Sequence, residues 1–337
     1  MKTFFEREGL KYAMIGSGSW ATALAGLLLN HQNSIYWYIR NEKNIDHLRK
    51  TGHPRSYLQS VSFDPMRIIM TSDINEVVSG ADVLLFCLPS AYFMEEVSKI
   101  TVSLEGKFII SAIKGFVGSD NLTIAEYFNR VRNIPYDRIG VVSGPSHAEE
   151  VSMGRMTYLT LTSKHIEIAQ ALCKVFECSY IRTQTTTDIY GVEYSAALKN
   201  VYAIAAGICH SIGYGDNFLA VLVTNAFNET IGFLNETRPD ETRVISTSAY
   251  LGDLLVTSYS QFSRNRTFGS MIGKGYSVKS AQIEMNMIAE GYYATKCIYE
   301  IARGLNHPMP IAEAVYSILY EGKYPPAVIK ELAEKLH

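Results

Sequence analysis

The sequence lacks long apolar runs and any strong excess of one charge. No stretch reaches the roughly 18 to 20 uncharged apolar residues that span a bilayer, and the leader MKTFFEREGLKYAMIG lacks the apolar core of a secretory signal. The 31 Lys and Arg residues nearly balance the 33 Asp and Glu residues, giving a net charge of −2. We therefore expect no membrane insertion and no nucleic-acid partner, and any anion site must be local.

Cysteine is scarce, and the cysteines form no recognisable pattern. Their number is five, which is odd, and no two form a C-x-x-C pair. The cysteines are Cys87, Cys173, Cys178, Cys209 and Cys297. Such usage favours free thiols in a reducing compartment, and we expect a cytoplasmic protein. The histidines are scattered singly, so we predict no metal site.

The apolar residues that are present predict an α/β fold of two domains. Near-continuous apolar runs alternate with helical patterns in the first half, as in parallel strands covered on both faces. We predict strands at 12–16, 34–39, 82–88, 107–113, 138–144, 156–162 and 179–183. After the polar run TQTTTD, at 183–188, helical patterns continue nearly to the C-terminus. We expect a Rossmann-like doubly wound domain over 1–187 and an all-helical domain over 188–337.

A glycine pattern, Gly16-x-Gly18-x-x-Ala21, lies between the first predicted strand and a helix. Gly16 allows a tight turn, Gly18 lets a pyrophosphate approach the backbone, and Ala21 allows close packing of helix on strand. The N–H groups that begin the helix suit phosphate. The position favours a dinucleotide site, with a glycine turn that binds nothing as the alternative.

The end of the second predicted strand indicates which dinucleotide is bound. An NAD site commonly has Asp or Glu there to hold the ribose 2'-hydroxyl, whereas this chain has Arg40. An arginine pairs with a 2'-phosphate, which favours NADPH. Glu42 lies two residues further on, so NADH remains open.

Other candidates follow predicted strands, where ligands of doubly wound sheets bind. Lys114 ends a buried strand, and it either extends to solvent or meets an anionic substrate. Ser146 and Glu149 form the S-x-x-E spacing of a helix capping box.

In the helical half, Lys199 is the only formally charged side chain of residues 194–215, with histidine counted neutral. Burial lowers the pKa of a lysine toward the range useful for proton transfer, so Lys199 is a candidate acid or base. A lysine at the solvent edge is the alternative. Asp253 and Thr257 share one helix face if that segment is helical, and Asp253 is a candidate to orient Lys199 and set its charge. Arg264 and Asn265 offer N–H donors for a phosphate.

These segments, taken together, resemble the bacterial NAD(P)-dependent glycerol-3-phosphate dehydrogenases. The matching segments run in order over almost the whole chain: GSGSWATALA, SAIKG, SGPSHAEE, AALKNVYAIAAG, SIGYGDN, LGDLLVT, SRNRTFG, AEGYYATK and MPIAEAVYSILYEG. The resemblance implies reduction of dihydroxyacetone phosphate to sn-glycerol 3-phosphate, a supply of glycerol phosphate for phospholipid synthesis, and a homodimer as a candidate assembly.

The resemblance also implies site residues. Lys199 would be the catalytic acid or base, with Lys114 and Asp253 positioning it and the substrate. The implied substrate site is Lys114, Gly144, Ser146, Lys199, Asn200, Asp253, Thr257, Ser263, Arg264 and Asn265. The implied cofactor site is Gly16, Gly18, Ser19, Trp20, Arg40, Lys114, Ala148, Arg264, Ile288 and Glu290. This chain departs from the family pattern at Ala21, which replaces a glycine, and at Asn225, which replaces an arginine.

Two other functions remain open from the sequence. A related NADP-dependent hydroxyacid or sugar dehydrogenase would share the first domain and a lysine, but not the combination of Lys199-Asn200 with SRNR. A non-catalytic NADP(H)-sensing binding protein would bind nucleotide without turnover. That function would leave the polar residues of the helical half unexplained.

Overall fold

The computed structural model describes residues 4–285 and 288–337 and divides the chain into two compact units. Unit 1 comprises Met1–Ile113 and Ile124–Ile189. Unit 2 comprises Lys114–Thr123 and Tyr190–His337. The short segment Lys114–Thr123 therefore belongs with the C-terminal helices, although it lies between two strands of unit 1 in the sequence.

Unit 1 is built on one mostly parallel sheet. Its strands, in the part of the chain described, are β1 (Tyr12–Ile15), β2 (Ile35–Tyr38), β3 (Ile68–Thr71), β4 (Val83–Phe86), β5 (Phe108–Ser111), β6 (Ile139–Ser143), β7 (Thr157–Thr162) and β8 (Ile181–Thr186). They lie in the order β3-β2-β1-β4-β5-β6-β7-β8. Neighbours run parallel except β6 and β7, which are antiparallel. The predicted Rossmann-like α/β fold is confirmed.

The predicted strands all occur, and one further strand, β3, was missed. β3 is a four-residue edge strand in which Ile69 faces solvent, so its sequence presents no continuous buried run. The polar run TQTTTD was expected to follow the last strand, but β8 extends through Thr186 and pairs with β7 along its whole length. Threonine is β-branched and suits a strand, which explains the difference.

Helices cover the sheet of unit 1. They are α1 (Ser19–His31), α2 (Glu42–Thr51), α3 (Ile74–Gly80), α4 (Ser90–Ser98), α5 (Ile124–Arg130), α6 (Ala148–Ser152) and α7 (Ile166–Phe176). Every residue of β1, β4, β5 and β6 is buried. This burial explains why these strands are apolar throughout rather than alternating.

Unit 2 is helical, as predicted for the C-terminal half. Its helices are α8 (Ile189–Ser211), α9 (Asp216–Thr237), α10 (Asp253–Tyr259), α11 (Arg264–Gly273), α12 (Val278–Glu284), α13 (Glu290–Gly304), α14 (Pro310–Leu319) and α15 (Pro325–Ala333). A π-helical turn, Ser248–Gly252, leads directly into α10. α8 is buried from Gly191 to Cys209, so it forms the centre of this unit.

Glycines bring α8 and α11 into backbone contact. A methyl group on Gly207 of α8 would overlap the carbonyl oxygen of Arg266 in α11. A methyl group on Gly269 of α11 would likewise overlap the carbonyl of Ile204 in α8. The two helices can approach this closely only because neither position has a side chain, and the approach fixes α11 against α8.

The five cysteines are free thiols. Among residues 4–285 and 288–337, no helix has both the length and the apolar character that crossing a membrane requires.

Candidate active site

The glycine turn of unit 1 is tightly held at Gly16. Gly16 adopts a φ of +119°, and a methyl group there would overlap the carbonyl oxygen of Cys87 at the end of the neighbouring strand. The Trp37 Nε1 donates to the Gly16 carbonyl at 2.7 Å, and the Gly16 N–H donates to the Tyr38 carbonyl at 3.3 Å. The turn is therefore fixed to the ends of β2 and β4 and can take only glycine at this position.

The start of α1 fits the diphosphate of a dinucleotide. Gly18 is the N-cap and makes no side-chain capping bond, so the first N–H groups of α1 are not used by a cap. No atom lies within 4 Å of the place where a methyl group on Gly18 would stand, which leaves the backbone open to a ligand. Ala21 is fully buried, so the family's glycine can be replaced there without loss of packing. The enclosed Nε1 of Trp20 has no acceptor among the described residues.

Arg40 follows β2 and is held by α4. Its Nη1 donates to Oε1 of Glu96 at 3.3 Å, and its guanidinium carbon lies 5.1 Å from the centre of the Tyr92 ring. The Arg40 side chain is 54% exposed, whereas that of Glu96 is 5% exposed. The arginine predicted to meet the adenosine ribose is thus exposed and in a defined orientation.

The loop after β6 differs from the expectation for Ser146. Ser146 was predicted to cap a helix with Glu149, but α6 begins at Ala148 with His147 as its N-cap. The Ser146 hydroxyl instead donates to the Gly144 carbonyl at 3.0 Å. Gly144 has a φ of +105°, which bends the chain so that Ser146 folds back on this carbonyl rather than on the helix. The capping-box prediction was wrong.

Unit 2 places four of the predicted site residues in one buried cluster, which we call the lysine cluster: Lys114, Lys199, Asp253 and Thr257. The Lys199 Nζ donates to Oδ1 of Asp253 at 2.5 Å and to the Thr257 hydroxyl at 2.8 Å. The Lys114 Nζ donates to Oδ2 of the same aspartate at 3.0 Å. The aspartate therefore uses one carboxylate oxygen for each lysine.

Helix geometry explains how the cluster forms. Lys199 lies on buried α8, whereas Asp253 and Thr257 lie one turn apart on α10 and point to the same side, as predicted. The Thr257 hydroxyl also donates to the Asp253 carbonyl at 2.6 Å, which orients its oxygen toward the lysine. Both partners of Lys199 are thus fixed on one rigid helical turn.

Burial and the neighbouring charges set the protonation of the cluster. Burial lowers the pKa of Lys199 to about 7, assisted by the Lys114 cation and opposed by the Asp253 carboxylate. Burial alone would raise the pKa of Asp253, but the two lysines outweigh it and hold this pKa below its usual range. An amine with a pKa near neutrality can both donate and accept a proton at physiological pH, so the cluster suits acid–base chemistry.

A second polar network adjoins the cluster through the residue after Lys199. The Asn200 Nδ2 donates to the Lys114 carbonyl at 3.4 Å, and its Oδ1 accepts from the Asn265 Nδ2 at 2.9 Å. The Asn265 Oδ1 accepts from the Gly291 N–H at 2.9 Å. This network joins α8, α11 and the start of α13. The Asn265 side chain thus accepts one hydrogen bond through Oδ1 and donates one through Nδ2, which leaves the second Nδ2 hydrogen for a ligand.

The remaining predicted residues of unit 2 lie at helix starts. Ser263 is the N-cap of α11 and accepts from the Arg266 N–H at 3.3 Å, so its hydroxyl has a structural role. Arg264 is the first residue of α11 and is half-buried. Glu290 begins α13, and Ile288 lies two residues before it.

The structure also reveals residues that sequence reasoning missed. Glu96 and Tyr92 hold Arg40, although they lie more than 50 positions away on α4. In the sequence, Glu96 forms part of an ordinary E-E-V-S-K helical pattern with Lys99 three residues on, which is typical of an exposed face. No local signal marks it as buried.

The chain matches known proteins over nearly its whole length. The sequence model of the protein family for the N-terminus of NAD-dependent glycerol-3-phosphate dehydrogenase matches residues 11–169. The family model for the C-terminus matches residues 188–330. A Staphylococcus aureus protein named glycerol-3-phosphate dehydrogenase (NAD(P)+) is 36% identical over 327 residues, which are 96% of this chain and 98% of that protein. A Chlorobium limicola protein of the same name is 37% identical over 315 residues, 92% of this chain and 93% of that one.

A solved structure agrees with these matches. The crystal structure of glycerol-3-phosphate dehydrogenase from Coxiella burnetii has a TM-score of 0.86 and 27% identity, and the match covers 96% of this chain and 99% of that one. With both family models, the relatives and this structure in agreement, the chain belongs to the NAD-dependent glycerol-3-phosphate dehydrogenase family and is an NAD(P)-dependent oxidoreductase.

Proposed function

We propose that this enzyme reduces dihydroxyacetone phosphate to sn-glycerol 3-phosphate, with Lys199 as the acid that protonates the new alcohol. The observation that carries the proposal is the lysine cluster, in which a buried amine with a pKa near 7 has a carboxylate and a hydroxyl as fixed partners. The family membership supports the overall reaction.

The reduced nicotinamide supplies the hydride that reaches the C2 carbonyl of the substrate. Lys199 then donates a proton from Nζ to the oxygen of the forming alkoxide, and in the reverse direction the neutral amine accepts that proton. Asp253 favours the charged amine and restricts the rotation of its Nζ, so the amine is held in one position. Lys114, which is 18% exposed, reaches the substrate and positions it beside Lys199.

Arg264 binds the phosphate group of the substrate in this proposal. An arginine at the first turn of α11 adds a guanidinium fork to the N–H groups that begin the helix, and phosphate suits both. The free Nδ2 hydrogen of Asn265 adds a further donor. Binding energy from the remote phosphate holds the carbonyl in place for reaction, which lowers the entropy cost of the chemical step.

The cofactor preference in this proposal is for NADPH, with NADH also accepted. Gly16, Gly18, Ser19 and Trp20 meet the diphosphate side of the nucleotide, and Arg40 meets the 2'-phosphate. The open backbone at Gly18 and the exposed guanidinium of Arg40 support this assignment. The product serves as a supply of glycerol phosphate for phospholipid synthesis, and a homodimer is the proposed assembly.

Steady-state reduction of dihydroxyacetone phosphate, measured by nicotinamide absorbance with NADPH and NADH side by side, tests the proposal. A panel of unphosphorylated ketones and 2-ketoacids serves as the comparison. We expect turnover of the phosphorylated ketone with both cofactors and lower KM with NADPH. Faster turnover of a 2-ketoacid would favour the hydroxyacid dehydrogenase function, and nucleotide binding without any turnover would favour the sensing function.

A further inference from the structure

Arg40 belongs to a charged network that is anchored by one buried carboxylate. Glu96 accepts from the Tyr38 hydroxyl at 2.5 Å through Oε2. Its Oε1 accepts from the Lys99 Nζ at 2.8 Å and from Arg40 Nη1 at 3.3 Å. Glu96 therefore has three donors, two of them cationic, and it is fixed from the strand side by Tyr38.

The Glu96 carboxylate is charged at neutral pH. Burial works to raise its pKa, but the hydrogen bonds from Lys99 and Tyr38 and the charges of Lys99 and Arg40 outweigh burial and lower the pKa. Burial and Glu96 together raise the pKa of Tyr38, so this hydroxyl keeps its proton and remains a donor. A negative charge consequently lies against the guanidinium of Arg40.

That charge affects the two nicotinamide cofactors differently. It orients Arg40 against Tyr92, and within the described residues Glu96 is the only hydrogen-bond acceptor of the Arg40 side chain. It also reduces the positive potential that Arg40 presents to an anion. A doubly charged 2'-phosphate loses binding energy through this reduction, whereas a neutral ribose hydroxyl loses almost none. When NADH binds, Glu96 still accepts a hydrogen bond from Arg40, so the guanidinium is not left without a partner.

We infer that Glu96 is a cofactor-selectivity residue that acts through Arg40, weakening NADPH binding and so narrowing the preference for NADPH over NADH. The inference rests on the proposed contact between Arg40 and the 2'-phosphate. Glu96 is a positioning residue in this scheme, since it is the arginine that meets the cofactor.

The test measures the dissociation constants of NADPH and NADH by isothermal titration calorimetry in the absence of substrate. In Glu96→Gln, which keeps the shape and removes the charge, we expect NADPH to bind about two- to fivefold more tightly, the upper part of the range of a surface ion pair. NADH should change by less than about twofold. Added salt should weaken NADPH binding more steeply in the variant than in the wild type, because the exposed guanidinium then carries more of the binding energy.

Glu95→Gln is the matched control. Glu95 is the adjacent carboxylate on α4, its side chain is 59% exposed, and it contacts Lys99 rather than Arg40. We expect its ratio of NADPH affinity to NADH affinity to equal that of the wild type. If Glu96→Gln leaves the ratio unchanged, or weakens both cofactors equally as a purely structural defect would, the inference is overturned.

Arg40→Ala separates this inference from the proposed function. It should weaken NADPH alone, and Glu96→Gln added to Arg40→Ala should change NADPH binding by less than about twofold. A normal ratio in Arg40→Ala would refute the 2'-phosphate contact and the inference with it. If Arg40→Ala lowers the ratio but Glu96→Gln has no effect, only the inference fails.

A second variant keeps the test decisive if Glu96→Gln does not fold, as judged by circular dichroism. Glu96→Asp keeps a buried charge for Tyr38 and Lys99 but is one methylene shorter, which withdraws the carboxylate from Arg40. We expect NADPH binding to tighten by more than about twofold with NADH unchanged. An unchanged ratio in a folded Glu96→Asp protein would count against the inference.

Discussion

The Nζ of Lys199 lies 2.5 Å from Oδ1 of Asp253, and the two residues are 54 positions apart in the chain. Both side chains are nearly inaccessible, at 8% and 1% exposure. A buried ion pair of this kind seldom adds to stability, because the loss of hydration offsets most of the attraction. Its presence in the centre of unit 2 is consistent with the acid–base role proposed for the lysine.

Replacing Lys199 with methionine removes the proposed acid and keeps the volume of the side chain. We expect kcat for ketone reduction to fall by about 10²- to 10⁴-fold, the usual contribution of a positioned acid, with a much smaller change in KM. Steady-state kinetics measure both. Lys296→Met, at an exposed lysine of α13, is the control and should leave kcat unchanged. Near-normal turnover in Lys199→Met would exclude this lysine as the acid.

The pH dependence follows from the pKa of Lys199, which burial lowers to about 7. Reduction needs the protonated amine, so kcat/KM for the ketone should be highest below that pH and decline above it. Oxidation of glycerol 3-phosphate needs the neutral amine, so its profile should rise over the same interval. Rate profiles recorded in both directions check this. Two profiles that rise and fall together would contradict a single shared acid and base.

Arg264→Met should weaken the binding of the phosphorylated substrate. We expect KM for dihydroxyacetone phosphate to rise at least about tenfold, since a charge-assisted contact to phosphate is lost. Inhibition by inorganic phosphate, measured at fixed substrate, should weaken in parallel. Lys274→Met, at an exposed lysine just after the end of the same helix, is the matched control. Equal changes in both variants would indicate a general charge effect instead of a phosphate contact.

Replacement of Gly16 and of Gly18 in the glycine turn with alanine should have different effects. Gly16→Ala forces an overlap with the Cys87 carbonyl at a φ of +119°, so we expect a loss of at least about 2 kcal/mol in the free energy of unfolding. Gly18→Ala meets open space at a φ of −76° and should fold normally, yet bind NADPH at least about tenfold more weakly. Thermal unfolding and calorimetric titration distinguish the two effects. Tight NADPH binding by Gly18→Ala would argue against a diphosphate at this backbone.

Glu229 on α9 has a structural role that is also testable. Its carboxyl oxygens accept from the N–H groups of Ile311 and Ala312, at 2.9 and 3.0 Å, at the start of α14. Glu229→Ala should lower the free energy of unfolding by about 2 kcal/mol at pH 5, because these donors lose their acceptor.

Burial raises the pKa of Glu229 to about 7, above its value in the unfolded chain. The stability it contributes is therefore fully present at low pH and declines as the pH rises through 7. Urea unfolding at pH 5 and pH 8 should show the larger cost of Glu229→Ala at pH 5. Glu236→Ala, an exposed site on the same helix, should have no such cost. A larger cost at pH 8 would contradict the raised pKa.

The features that sequence alone predicted are those with a local signature. The apolar runs that became β1 and β4 to β6 are buried on both faces, so they differ clearly from their surroundings. Lys199 could be recognised because it is the one charged residue in a long apolar segment. Thr257 could be linked to Asp253 because four residues make one helical turn.

The features that escaped depend on contacts distant in sequence. Lys114 meets Asp253 across 139 positions, and no local pattern records that pairing. Glu96 looks like a surface glutamate, yet the sheet places Tyr38 and Arg40 against it. Ser146 fits a capping pattern, but the left-handed Gly144 redirects its hydroxyl to the Gly144 carbonyl. In each of these cases the tertiary fold determines the outcome, and the adjacent residues do not.

The assignment of Lys114–Thr123 to the helical unit limits how this enzyme can be dissected. A fragment that begins after Ile189 would carry Lys199, Asp253 and Thr257 but not Lys114, so one aspartate oxygen would lose its cation. Exchange of C-terminal halves between related enzymes would meet the same obstacle. With a single crossover near residue 189, Lys114 would come from one parent enzyme and Lys199 from the other. A chimera that keeps both lysines from one parent needs two further junctions, one on each side of the ten-residue segment Lys114–Thr123.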